Sequence, residues 1–245
     1  MMYEASNITD LTKFRRRVPA SESREARIGM NTQRRDLAVL RRSRLFSEEL
    51  GIDLASCKES ALFRWLLASI LYGARINGTI ARNTYRAFLR HGLTSPQKIL
   101  DAGWDFLVNP VMREGGYVRY DGRKSEQVLR VCRSVVESYG GRLSRLHDDA
   151  HDSRDLEARL LELYGVGPVT MNIFLRELRP FWPKADPEPL AQVTRFGREL
   201  GVDLSRYRRK TLTFVRIEAG LIRLSHEHRR LSDARSPRTG RAASL

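Results

Sequence analysis

Apolar side chains recur at intervals of three and four residues along most of the chain, and this spacing predicts helices that bury one face. No segment alternates apolar and polar residues over a sustained length, so we predict an all-α fold without strands. The predicted helices cover residues 32–50, 59–72, 79–90, 96–106, 125–139, 153–163, 168–178, 187–200 and 204–226.

Two stretches differ from this amphipathic pattern. Residues 59–72 are apolar nearly all round, which is typical of a helix buried on every side. Residues 108–124 contain Pro110 and the pair Gly115-Gly116, and they form the one long segment in the middle of the chain that we expect to be irregular.

A tight connection is predicted between the helices on either side of residue 165. Gly165 and Gly167 permit a sharp reversal because glycine adopts positive φ without steric cost, and Pro168 suits the first turn of the following helix. Such a hairpin can be a simple corner between two helices. It can also bind a phosphate, because the second helix begins with free backbone N–H groups. The candidate phosphate-binding residues are Gly165, Val166, Gly167, Val169 and Thr170.

The run L-x-G-V-G-P-x-T at this connection resembles the helix–hairpin–helix signature of the endonuclease III-like DNA glycosylases, the HhH-GPD superfamily. In that family a Gly/Pro-rich loop and an aspartate that opens the next helix follow the hairpin. Residues 181–185 and Asp186 stand in those places, and Arg195-Phe196-Gly197 is similar to the family's Arg-Leu-Gly. The resemblance covers roughly residues 60–225.

The resemblance implies a two-lobed helical glycosylase fold. One lobe would be a helical bundle that contains the hairpin, and the other would be built from both ends of the chain. The expected divisions are a disordered basic arm at 1–27, a second lobe from 28–72 plus 186–226, a bundle at 73–185 with the hairpin at about 156–178, and a disordered basic tail at 227–245.

Asp186 is the catalytic residue that the resemblance implies, and Glu188 is the alternative if the alignment is shifted. We expect Asp186 to cap a helix with Pro187 in its first position, because helix N-terminal N–H groups favour an ionised carboxylate. Bifunctional members of the family carry a lysine nucleophile where this chain has Val169. The resemblance therefore implies a monofunctional glycosylase, and Lys184 is not assigned as a nucleophile.

The resemblance also places DNA contacts in two other segments. Arg75 and Asn77 lie in the polar turn after the buried helix, and Tyr120 would be a wedge between bases. A tyrosine packed beneath its own loop is the alternative for Tyr120. Cations that would hold the DNA backbone beside it are Arg119, Arg123 and Lys124, and the expected base pocket includes Tyr72 and Trp182.

Charge supports a polyanionic partner. The chain of 245 residues has 44 Lys and Arg against 29 Asp and Glu, a net charge of +15, and its two ends contribute most of this excess. Three functions remain open: a monofunctional DNA glycosylase, a non-catalytic helix–hairpin–helix DNA-binding protein, and a helical interaction module whose basic ends bind another partner. For the first, we expect a monomer on double-stranded DNA that contains a modified base, in the nucleoid of the cytoplasm.

Cofactor expectations follow from the cysteines. Cys57 and Cys132 are the only two, so the chain lacks the four thiolates of an iron–sulfur cluster, and both are expected to be buried. His226 and His228 diverge on a helix, so no metal site is predicted there. A structural monovalent cation at the hairpin is the one ion expected. The longest apolar run is too short to span a bilayer.

Overall fold

The computed structural model describes residues 37–74 and 76–235. Within these residues the regular structure is helical throughout, without strands, and the all-α prediction is confirmed. The predicted arm at 1–27 and residues 236–245 lie outside this part of the chain. The α-helices are α1 (37–41), α2 (Phe46–Glu49), α3 (Glu59–Tyr72), α4 (Gly78–Arg90), α5 (Pro96–Phe106), α6 (Arg113–Gly115), α7 (Asp121–Tyr139), α8 (Leu143–Asp148), α9 (Ser153–Glu162), α10 (Pro168–Leu178), α11 (Ala191–Glu199) and α12 (Leu212–Arg235).

Helix α3 is the centre of the larger hydrophobic core. Its apolar residues are buried on every face, as the sequence predicted, and α4, α8 and α10 pack around it. The Trp65 indole N–H donates a hydrogen bond to the Phe174 carbonyl oxygen at 3.0 Å, which satisfies its polar atom inside the core. This bond ties α3 to α10, the second helix of the hairpin.

The segment predicted to be irregular is so at Asn109 and Pro110, but residues 111–115 are helical, and for those residues the prediction was wrong. The turn Leu107–Met112 leads directly into α6, but its backbone is extended at Asn109 (φ −143°, ψ 114°), before a cis peptide bond to Pro110. The breaker residues misled the prediction because Gly115 serves close packing: a Cβ atom there would lie 2.2 Å from Thr84 Oγ1 on α4. Helix α7 also begins earlier than predicted, at Asp121, and Asp152 rather than Ser153 caps α9.

The described residues form two hydrophobic cores. The larger one extends from Ile52 to Ala185, and the smaller one joins Leu40 and Leu45 to residues of α11 and α12. The predicted division assigned all of 28–72 to the second lobe, whereas α3 lies inside the larger core. The difference has a simple cause, since a helix that is apolar all round must be enclosed by several others.

The chain ends differ from prediction in two ways. The predicted helix at 32–50 is broken at residues 42–45, between α1 and α2. A 3₁₀ turn, Leu204–Arg206, precedes α12, which then continues to Arg235, so residues 227–235 are helical where a disordered tail was predicted. No helix in the part of the chain described here is long and apolar enough to cross a bilayer.

Buried charges connect the two cores. Glu177 of α10 is fully buried, and its carboxylate accepts hydrogen bonds from the backbone N–H groups of Phe46 and Ser47 at 2.8 and 2.9 Å. It therefore caps α2 from a distance of about 130 positions in sequence. Burial raises the pKa of Glu177, whereas the neighbouring Arg176 favours its ionised form. The guanidinium groups of Arg176 and Arg223 both lie over the Phe46 ring, at 5.1 and 4.1 Å from its centre.

Replacing Glu177 tests this connection. Glu177→Ala leaves two backbone N–H groups without their acceptor and removes a negative charge beside the buried Arg176, so we expect a loss of about 2–4 kcal/mol in the free energy of unfolding. Glu177→Gln keeps an acceptor and should lose less. Chemical denaturation measures both, with the exposed Glu126→Ala on α7 as a control expected within about 0.5 kcal/mol of wild type. A loss below 1 kcal/mol for Glu177→Ala would contradict this role.

Candidate nucleic-acid interface and carboxylate site

The connection between α9 and α10 is a tight hairpin. Gly165 has φ +71°, in the left-handed region that favours glycine, whereas Gly167 has φ −99° and caps α10 with Pro168 in the first turn. Positive φ was expected to be available at both glycines, and only Gly165 uses it. Because Gly167 has no side chain, α10 begins without a side-chain cap, and its first N–H groups are oriented for an external acceptor.

Side chains of the hairpin divide into buried and exposed groups. Val169 is 50% exposed, but Val166 and Thr170 are buried. Thr170 packs on the end of α3, where a Cβ atom on Gly73 would lie 2.1 Å from its hydroxyl oxygen. Any phosphate contact from Val166 or Thr170 would therefore come from the backbone, which the sequence did not distinguish from a side-chain contact.

A chain of hydrogen bonds joins the hairpin to α7. Lys124 Nζ donates to Gln127 Oε1 at 2.5 Å, and Gln127 Nε2 donates to the Gly165 carbonyl oxygen at 2.7 Å. Burial, with a smaller effect from Arg123, lowers the pKa of Lys124 to about 8. The sequence predicted a DNA contact for Lys124 and gave no role to Gln127. The structure directs the lysine amine to an internal partner, whereas Arg123 is exposed.

The loop before α7 presents an exposed aromatic ring. Tyr120 is 64% exposed and has φ +63°, an unusual conformation for a residue with a side chain. Arg119 lies over its ring at 5.2 Å, and the adjacent Val118 is also exposed. The structure thus excludes the alternative in which Tyr120 packs beneath its own loop.

The residues predicted to contact DNA in the turn after α3 and in the base pocket differ in their exposure. Asn77 is exposed, and its side chain accepts a hydrogen bond from the Thr79 backbone N–H, so it caps α4. Arg75 lies outside the described residues. Tyr72 is half-buried against the larger core, whereas Trp182 is buried in that core, with the rings of His147 and Phe174 at 4.9 and 5.8 Å, and leaves little surface for a base. A surface depression of about 510 Å³ around His91 and Phe106 contains none of the predicted site residues.

Asp186 does not cap a helix, contrary to prediction. Helix α11 begins at Ala191, and the residue at its N-cap is Leu190, which makes no side-chain cap bond. Asp186 and Glu188 each precede a proline, and proline disfavours helical backbone in the residue before it. Residues 186–190 are therefore non-helical, and α11 starts later than the sequence suggested.

Two arginines that the sequence analysis missed hold Asp186. Arg209 Nε donates to Asp186 Oδ1 at 2.8 Å, and Arg179 Nε lies 3.6 Å from the same oxygen. Arg209 also binds the Asp186 and Pro187 carbonyl oxygens at 2.7 and 3.0 Å, and it pairs with Glu188. Arg208-Arg209-Lys210 counted only as basic charge in the sequence, and nothing in it indicated that one member binds residues 186–188.

Further polar groups adjoin this carboxylate segment. Asn172 Nδ2 donates to the Glu188 carbonyl oxygen at 2.8 Å, and within the described residues its buried Oδ1 has no partner. Burial raises the pKa of Glu157, and the nearby charges of Glu188 and Asp186 add to this rise. The Lys184 amine binds the backbone carbonyls of residues 147 and 148.

No group of three or more His, Cys, Asp or Glu side chains that could hold a metal ion occurs in residues 37–74 and 76–235.

Cys132 is buried, but Cys57 is exposed at the end of a 3₁₀ turn, so its predicted burial was wrong. At the hairpin, where a monovalent cation was expected, the Gly165 carbonyl oxygen accepts a hydrogen bond from Gln127 Nε2. Comparison with protein families, with curated proteins and with solved structures finds no match for this chain.

The two hairpin glycines form a matched pair for mutation. Gly165→Ala combines positive φ with a Cβ atom 2.8 Å from Gln127 Nε2, so we expect it to lower the free energy of unfolding by about 1–3 kcal/mol. Gly167→Ala meets no atom within 4 Å and should stay within about 0.5 kcal/mol of wild type. Equal losses in denaturant unfolding would contradict this assignment of the turn.

Proposed function

We propose that this protein binds double-stranded DNA and excises a modified base, as a monofunctional DNA glycosylase of the endonuclease III-like type. The observation that carries the proposal is the convergence of three segments that the sequence separately suggested for DNA. Gly73, before the Asn77 turn, packs against Thr170 of the hairpin, and Gly165 of the hairpin packs against Gln127, one helical turn after Lys124.

The chemistry of these segments suits a duplex. Free N–H groups at the start of α10 can receive a backbone phosphate, and Arg119 and Arg123 add exposed positive charge. An exposed aromatic ring such as Tyr120 can enter the base stack and fill the space left by a flipped nucleotide. The net charge of +15 favours association with any polyanion, so it supports DNA binding but not a particular base.

Asp186 is our candidate for the chemical step. As the C1′–N bond of the target nucleotide breaks, positive charge develops on the sugar, and a nearby carboxylate stabilises it. Water then adds to C1′, one of its protons is released, and the base leaves with the bonding electrons and takes up a proton. The shortest contact of each arginine is to Oδ1, which leaves Oδ2 of this partly exposed residue for the substrate.

The hairpin side chain favours hydrolysis over lyase chemistry. Val169 offers no amine to attack C1′, and Lys184 is engaged by backbone carbonyls. Excision would therefore leave an abasic site in an intact strand.

A second function, non-catalytic DNA binding through the same surface, is favoured by the state of Asp186. Arg209 binds its carboxylate directly, which reduces the negative potential that a developing sugar cation would experience. In addition, the N-cap position of α11, where the resemblance implies a catalytic aspartate, holds Leu190. Both observations are compatible with a carboxylate that only holds the 186–188 segment in place.

An oligonucleotide panel that carries different modified bases separates the two functions. We expect one base to yield strand breaks only after hot alkali, with Asp186→Asn lowering the rate on the order of 100-fold or more. Glu188→Gln should retain activity, and the exposed Asp105→Asn removes a distant carboxylate as a control. DNA binding without excision across the panel would support the non-catalytic function. Breaks before alkali would contradict a monofunctional mechanism.

Gly167→Ala tests whether the hairpin contacts the DNA backbone. In the free protein the added methyl group meets nothing, so stability should not change, but a phosphate close to the backbone would collide with it. We expect the Kd for a duplex to rise roughly tenfold, about 1.4 kcal/mol, as measured by fluorescence anisotropy. An unchanged Kd would place the DNA elsewhere on the protein.

A further inference from the structure

The contact between Gln127 and the hairpin is unusually close. Gln127 is only 9% exposed, and its side-chain amide approaches Gly165 so nearly that a Cβ atom there would lie 2.8–3.0 Å from three of its atoms. The amide N–H points at the Gly165 carbonyl oxygen, and the amide oxygen receives the Lys124 amine. This pairing fixes the orientation of the amide, since its donor and its acceptor have different partners.

The electrostatic effect of Lys124 and Gln127 on the hairpin resembles that of a bound ion. With a pKa of about 8, Lys124 is mostly protonated at pH 7. A positive charge on one side of an amide strengthens the hydrogen bond that the amide donates on its other side. The Gly165 carbonyl oxygen thus accepts a hydrogen bond from a polarised donor, and the positive charge of Lys124 lies at the other end of the same Gln127 amide.

We propose that Lys124 and Gln127 together do for the hairpin what a bound monovalent cation would do. They hold the Gly165 carbonyl oxygen in position and place a fixed positive charge behind the start of α10. Lys124 is then a positioning residue that acts through Gln127, and it does not touch the DNA. This inference depends on the proposed DNA binding, because its effect is on the phosphate-binding conformation of the hairpin.

Salt dependence of duplex binding separates positioning from direct contact. A lysine that touches a phosphate contributes about one unit to the slope of log K against log salt. We expect Lys124→Gln to raise the Kd roughly fivefold to tenfold, about 1 kcal/mol, with an unchanged salt slope. Its exposed neighbour provides the matched control, since Arg123→Gln should lower the slope by about one unit if it contacts a phosphate.

Two further variants distinguish the proposed role of Lys124 from a general folding defect. Gln127→Glu is nearly isosteric, but it replaces the donor to Gly165 with a carboxylate oxygen, so it should weaken binding at least as much as Lys124→Gln. Lys124→Arg keeps the charge and a donor and should retain most of the affinity. Wild-type Kd should be equal in potassium chloride and in tetramethylammonium chloride at the same ionic strength, because no small cation is needed.

Three outcomes would overturn the inference while duplex binding persists. They are a wild-type Kd that depends on potassium, a Lys124→Gln variant with wild-type affinity, and a Lys124→Gln variant whose salt slope falls by about one unit. Absence of duplex binding by the wild-type protein in either salt would instead remove the proposed function itself.

Discussion

The ionic network at the end of α10 is the constraint on which the arrangement of the molecule depends. Arg179, which directly follows α10, is completely buried and pairs with Glu218 of α12, and Glu177, two residues earlier, caps α2. Charges in such a place are tolerated only if each partner is present and well oriented, so the two cores have little freedom to slide on α10. The other end of this helix is the hairpin. One rigid helix therefore sets the position of the candidate DNA-binding surface relative to the smaller core.

The same network extends to the candidate catalytic carboxylate. Arg179 contacts Asp186 as well as Glu218, and Arg209 binds both the side chain and the backbone of Asp186. The segment is thus held from the core by one arginine and from its surface by another. This arrangement has two effects. It fixes the position of a carboxylate oxygen, and the positive charges of the arginines offset part of the negative charge of the carboxylate. The first effect favours catalysis, and the second favours binding of DNA without catalysis.

Much of the fold was predictable because it follows from local pattern. The spacing of apolar residues gave most of the helices, and the burial of α3 followed from a helix with no polar face. The hairpin was predictable from Gly165 and Pro168. The sequence did not reveal residues whose role depends on contacts distant in sequence. Gly115 is a packing residue, although glycine usually breaks a helix, and Trp182 is a core residue. The sequence singled out Asp186 as a candidate but did not indicate its contact with Arg209, because the partner of a charge is set by tertiary structure.

The smaller core has a consequence for the order of folding. It joins α1 and α2 to α12, and the pair Glu48 and Arg216 is separated by 168 positions. Closing so long a loop is entropically costly unless the intervening residues have already become compact. The larger core consists of those intervening residues and can form from contacts within itself. During synthesis the α1–α2 segment therefore emerges before the larger core, can meet Glu177 once α10 has formed, and completes its packing only when α12 has emerged.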